Sequence, residues 1–230
     1  MIELELFSHL GIDKGITSII GGGGKTTLLT HLGLFYRTFS SVILTTSTHI
    51  YPPSGFPYAE QLMSELNKGD CISIGTKCAD GKITVPKQSF FYLSRLSDYL
   101  FIEADGSKGL PAKMHASYEP VIPENSRSVI AVLGLDAIGC PVKKVVHRYN
   151  ILCKRMNLLP EQIVTPEICV RLLLSYPKVT GVLLNKADLL HDKALARTIA
   201  QQLPYPVAIH SFVSEYPITE LWRNGKCLLS

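Results

Sequence analysis

No stretch of this 230-residue chain is long and apolar enough to cross a membrane. The longest apolar run, Val129 to Leu135, falls far below the roughly 18 residues a span requires. No block of like charge is present either: 23 basic and 19 acidic residues are spread along the chain to a net charge of +4. Nothing there could track a nucleic-acid backbone, whereas a weakly basic surface suits a small anionic ligand. The six cysteines, Cys71, Cys78, Cys140, Cys153, Cys169 and Cys227, show no CxxC spacing, which speaks against a zinc knuckle or a thioredoxin-like site and for reduced thiols. The start, MIELELFSHL, carries acids where a signal peptide has a basic start, so the expected compartment is the cytoplasm. Repeats and low-complexity tracts are lacking.

What is present is a self-folding composition, with 46% apolar and 18% charged residues. The length suits a single domain over residues 1–230. Apolar runs of strand length alternate with segments of helical period. Strands are expected at Ile16 to Ile20, Val42 to Thr46, Leu100 to Glu103, Val129 to Leu133, Val179 to Leu184 and Val207 to His210. Helices are expected at Lys25 to Arg37, Gln88 to Ser97, Tyr149 to Met156, Pro166 to Ser175 and Lys193 to Gln202. This order predicts an α/β, P-loop NTPase-like three-layer fold, a mostly parallel sheet with flanking helices. Two β-rich runs joined around Asp80-Gly81 predict a small β-hairpin insertion near residues 71–86. The loops YPPSGFP and EADGSKGLP leave the carboxyl ends of strands, where open α/β sheets bind ligands.

The first strand runs into Gly21, Gly22, Gly23 and Gly24, followed by Lys25, Thr26 and Thr27 at the head of a helix. Glycines free the backbone to turn N–H groups toward one anion, and the helix N-terminus adds to that nest. Lys25 would then reach the outer phosphates of a nucleotide, the Thr26 hydroxyl a magnesium ion and Thr27 the inner phosphates. The longer pattern GxxxxGK[ST] would place a glycine at Ile19, but the spacing GGxGKTT fits as it stands. That loop is similar to the one in deviant-Walker and metallochaperone nucleotidases. Ile20 occupies the position of the second lysine of deviant-Walker ATPases, which argues against that branch. The competing reading is a glycine turn capped by Thr26 or Thr27.

Two carboxylates, Glu103 and Asp105, stand at the tip of the third strand, in YLFIEADGSKG. A phosphate loop needs such a group for magnesium, held directly or through water. Glu103-Ala104-Asp105-Gly106 also resembles the ExxG turn of metal-centre GTPases. Later, Asn185-Lys186-Ala187-Asp188 matches the NKxD pattern for guanine, in which the aspartate accepts hydrogen bonds from N1 and the exocyclic amine. Asn185 would orient the base loop and the Lys186 stem would lie along the base. The alternatives are a DG turn for the first motif and, for Asp188, the N-cap of the next helix.

The phrases GGGGKTT, TTSTHIYPP, EADGSKGLPAK, YEPVIP, GLDAIG with a following HR, and NKAD together resemble the YqeC family, described as accessory factors for selenium-dependent molybdenum hydroxylases. Met114 and His115 depart from its pattern. The resemblance implies a nucleotidase, using Mg²⁺ with GTP or ATP as substrate, that helps mature or insert a molybdenum cofactor in a hydroxylase client. Partners so implied are a nucleotide, a molybdopterin-type cofactor and that client. A small-molecule kinase or nucleotidyltransferase, or a non-hydrolysing cofactor carrier, are the alternatives. Beyond the nucleotide, Thr45, Thr46, Thr48 and His49 follow the second strand, where a Thr hydroxyl could join the magnesium shell. Lys108, Lys113, Glu119, His147 and Arg148 are candidates for a facing wall or, taken singly, solvated charges; Arg148 suits a phosphate or pterin-phosphate. A metal site from His49, His115 and His147 lacks ligand spacing.

Overall fold

Parallel strands buried on both faces read as unbroken apolar runs, and such runs form the centre of this molecule. The computed structural model describes residues 2–214 and 219–229, with ten strands in one sheet. In chain order these are β1 (Gly15–Gly21), β2 (Val42–Thr46), β3 (Tyr58–Ala59), β4 (Cys71–Ile74) and β5 (Tyr99–Glu103). They continue as β6 (Ser128–Gly134), β7 (Gly181–Asn185), β8 (Val207–Ile209), β9 (Glu220–Arg223) and β10 (Lys226–Leu229). Across the sheet the order is β10-β9-β8-β7-β6-β1-β5-β2-β4-β3. Every neighbouring pair from β8 to β3 is parallel, and β9 and β10 add an antiparallel edge.

Side-chain alternation along the strands splits the core in two. Ile20, Ile102, Leu133 and Leu184 pack on one face, with Leu152, Leu172 and Ile199. Those three come from α5 (Tyr149–Met156), α6 (Pro166–Leu174) and α7 (Lys193–Gln202), which follow the single turn α4 (Val142–Val145). Ile19, Phe101, Val132 and Leu183 pack on the other face, against Phe7 of α1 (Ile2–His9) and Leu28, Leu29 and Leu32 of α2 (Lys25–Tyr36). The result is the expected α/β architecture, a large and mostly parallel sheet between two layers of helix. Register then sets the functional edge. Ile19 of β1 lies opposite Glu103 of β5, Thr46 of β2 opposite the same Glu103, and Asn185 of β7 opposite Gly134 of β6.

Several expectations change. Cys71–Ile74 is no part of a side hairpin: three of its four residues are buried and it pairs with β2 in the main sheet. The hairpin is only Thr76–Lys77 with Ile83–Thr84, turned around Gly81 and bridged to Ile50 through Ile83. The helix expected over Gln88 to Ser97 is the single turn α3 (Phe90–Leu93), N-capped by Ser89. Asp98 just beyond it is drawn instead to Lys14 and Ser41, which turns the chain into β5. Val179 stays outside β7 because Lys178 takes a positive φ of 57°. α1, β3 and the β9–β10 hairpin add to the expected elements. Among the described residues, no helix is long and apolar enough to cross a membrane.

Candidate functional site

β1 ends in the glycine run, and neighbouring backbone closes on it from three sides. Gly22 N–H donates to Val132 O at 2.9 Å, Gly23 N–H to Leu110 O at 3.1 Å, and the Asn185 side chain donates to Gly23 O at 2.8 Å. Gly23 has φ 83°, and a Cβ there would run into the Gly134 backbone; a Cβ on Gly24 would meet the Asn185 amide. The glycines are therefore demanded by packing as well as by turn. One part of the sequence reading narrows: the N–H groups of Gly21, Gly22 and Gly23 are spent inside the protein. What faces outward begins at Gly24. Leu28 N–H closes the first helical turn on Gly24 O, so the Lys25, Thr26 and Thr27 amides fall in the orphan set of a helix N-terminus. No side chain caps that end. The capped-turn reading of Thr26 and Thr27 is set aside by this geometry, because the Thr26 hydroxyl points to Glu103 Oε2 at 2.8 Å.

The two acidic candidates occupy different places. Glu103 lines the open cavity beside Thr26, whereas Asp105 is buried behind the loop. Asp105 Oδ2 accepts from Gly21 N–H at 2.8 Å and contacts His115 Nε2 at 2.5 Å. Its Oδ1 receives no hydrogen bond among the described residues but sits 3.1 Å from the Lys25 ammonium. Lys25 also donates to Gly21 O at 2.7 Å and lies 3.7 Å from Glu103 Oε1. Burial pushes the Glu103 carboxyl up, only partly offset by Lys25 and Thr26. Burial pushes Asp105 the same way, but Lys25, His115 and Lys113 together outweigh it and hold that carboxyl at about 2. His115 was a departure in the sequence; here its ring packs on Tyr176 at 4.4 Å and anchors Asp105. Among the described residues no three His, Cys, Asp or Glu side chains converge as metal ligands, and His115 Nε2 is engaged by Asp105.

Asn185 ends β7, and Lys186 and Asp188 follow it. Asn185 reaches back to the phosphate loop. Lys186, at φ 63°, donates to Asp136 Oδ2 at 2.6 Å and also lines the cavity. Asp188 is exposed and does not cap α7, whose N-cap is Asp192, accepting from Ala194 N–H at 2.9 Å. Asp188 instead accepts a hydrogen bond from the buried Ser211 hydroxyl, just after β8. Ser211 escaped the sequence reading; its one clue was its place past the end of a strand adjoining β7.

The second group of candidates divides. Thr45 and Thr46 hydroxyls are spent on Ile74 O and Glu103 O, leaving Thr48 and His49 at the cavity. Lys113 is no solvated charge: it is fully buried and donates to Gly106 O at 2.6 Å and Glu119 Oε1 at 3.0 Å. Burial lowers its pKa, against the pull of Asp105 and Glu119. Glu119 Oε2 also accepts from Arg148 Nε at 2.8 Å, and Arg148 stacks over Tyr118. Lys108, Glu119 and His147 line the cavity, which measures about 790 Å³.

Strand, glycine loop, Lys-Thr helix start and an acid on the adjacent strand tip define an α/β protein of P-loop NTPase-like fold. The family model described as "YqeC protein" matches residues 17–150. The chain is 32% identical over 173 residues to "Uncharacterized protein YqeC" of Escherichia coli (strain K12), covering 67% of this chain and 68% of that one. The chain belongs to the YqeC family. The family match holds the loop, the acidic turn and His147 but ends before Asn185. No solved structure matches the chain.

Proposed function

We propose that this protein binds a magnesium nucleotide, GTP in preference to ATP, on Gly24 to Thr27 and hydrolyses its terminal phosphate. The observation that carries the reading is an uncapped helix start whose Thr26 hydroxyl is bonded to Glu103 at the wall of an open cavity. Hydroxyl and carboxylate are the hard oxygen donors magnesium takes, so Thr26 and Glu103 would hold the ion, with Asp105 steering Lys25 from behind. The ion supplies charge neutralisation on the phosphates. Lys25 adds its positive charge to the transferring phosphoryl group, and the amides at the head of α2 bind the phosphate oxygens. Asp188, oriented by Ser211, accepts the N1 and exocyclic N–H groups of guanine. The biological setting we infer, from the family resemblance, is maturation or insertion of a molybdenum cofactor in a selenium-dependent hydroxylase.

The test compares GTP and ATP binding, with magnesium, for wild type and Asp188→Asn, and turnover for Lys25→Ala. GTP should bind more tightly, Asp188→Asn should weaken GTP by about 10- to 100-fold while sparing ATP, and Lys25→Ala should abolish turnover. Tighter ATP binding with Asp188 irrelevant sinks the guanine assignment. Preserved turnover in Lys25→Ala sinks the hydrolase.

A further inference from the structure

We propose that the far end of the cavity is a second binding site, for a small organic phosphate carrying a planar ring, occupied alongside the nucleotide. The inference rests on the reading above only for where the nucleotide lies. Asp188 is outside the cavity lining and follows β7, whereas Glu103 ends β5, on the opposite side of β1. A nucleotide whose base sits at Asp188 therefore reaches the loop from one side and ends at Thr26 and Glu103. The cavity continues past that point. Its far wall comes from Thr48 to Tyr51 after β2, Lys82 on the small hairpin, Lys108 and Glu119 in the segment between β5 and β6, and His147.

The charge of that wall selects the ligand. Lys108 stands at a positive φ of 54° and has no carboxylate within ion-pair distance among the described residues. Among the described residues Lys82 forms its ion pair with the exposed Asp80, a contact of the kind readily exchanged for a better anion. The one acid on this wall, Glu119, is already satisfied: Lys113 takes one oxygen and Arg148 the other. Lys82, Lys108, Lys113 and Arg148 outnumber Glu119 and Asp80, the acids they meet, so the wall around His147 presents net positive charge. At its rim Tyr51 is 64% exposed, with Lys82 Nζ over its ring at 5.2 Å from the centroid. An exposed ring with an ammonium over one face leaves the other to stack on a planar ring, the ammonium serving the anion attached to it.

Phenyl phosphate is the probe, titrated calorimetrically into the full chain with and without a non-hydrolysable GTP analogue and magnesium. Inorganic phosphate serves as the ringless comparison, and the variant is Lys82→Ala with Lys108→Ala. Both lysines reach solvent, so the fold should survive, which circular dichroism checks. Wild type should bind phenyl phosphate with the analogue in place. The double variant should lose about tenfold or more in phenyl phosphate affinity while analogue affinity stays within about twofold. If phenyl phosphate only displaces the analogue, or binds the variant as well as wild type, the second site is overturned; equal affinity for inorganic phosphate overturns the ring. If the analogue fails to bind while phenyl phosphate still needs both lysines, the nucleotide reading falls and this site stands.

Discussion

Glu103 and Asp105 are two residues apart and do opposite things to the fold. A carboxyl raised by burial, as Glu103 is, binds its proton more tightly folded than unfolded. Its contribution favours folding in acid and is lost as pH rises through the raised value, so at neutral pH its ionisation opposes the fold. Glu103→Gln should therefore melt no lower than wild type, and up to about 1 kcal/mol higher, while magnesium-dependent nucleotide affinity falls at least about tenfold. A lower melting temperature with magnesium dependence intact is the contrary result. Asp105 runs the other way, depressed from 3.8 to about 2. Its stabilisation is complete above the unfolded value and is lost as pH falls toward 2, a matter of about 2 kcal/mol. Acid titration should show wild type losing stability more steeply than Asp105→Asn between about pH 4 and pH 2; parallel curves would contradict it. The sequence made both carboxylates visible as candidates but left open which is nearer the metal, because that depends on Gly21 N–H and His115 arriving from elsewhere in the chain.

At the scale of elements, the phosphate loop is clamped by β6, by the Leu110 segment and by β7 through Asn185. Asn185 acts on the loop, whereas Asp188, three residues on, is the residue we assign to the base. Asn185→Ala should consequently weaken GTP and ATP alike, by about 3- to 10-fold, because it frees Gly23 O and leaves a buried acceptor unpaired. A loss confined to GTP would place Asn185 with the base instead. Elements with a clear apolar run or helical period were legible: β2, α5 and α7 fall at their expected bounds. Those resting on turn chemistry were not. Asn224 and Gly225, both at positive φ, make the hairpin turn between β9 and β10, a dipeptide signal passed over. Lys113 looked like a surface charge because sequence shows charge, whereas burial is decided by Glu119 and Gly106 meeting it in space.

For the whole molecule, both core faces share one sheet, so unfolding should be a single cooperative transition. Magnesium and GTP at 100 times the dissociation constant should raise its stability by about 2.7 kcal/mol. Calorimetry showing two separate transitions, or no shift with ligand, would contradict this. Fold class and the functional edge were legible in the alternation of runs, and Thr48, His49, Lys108 and His147 stood out as candidates; Ile50, Tyr51 and Lys82 did not, since they join that wall only when the chain closes. The pairing of Ile19 with Glu103 has one more consequence. The gap between the Thr26 hydroxyl and the Glu103 carboxylate is measured out by rungs of a ladder and not by the length of chain separating them. Insertions in the surface loops between Tyr36 and Tyr99 leave that gauge unchanged. Deleting one residue within β5 turns Glu103 to the other face of the sheet, so tolerance to change in this chain is graded by distance from the ladder and not by distance from the motif.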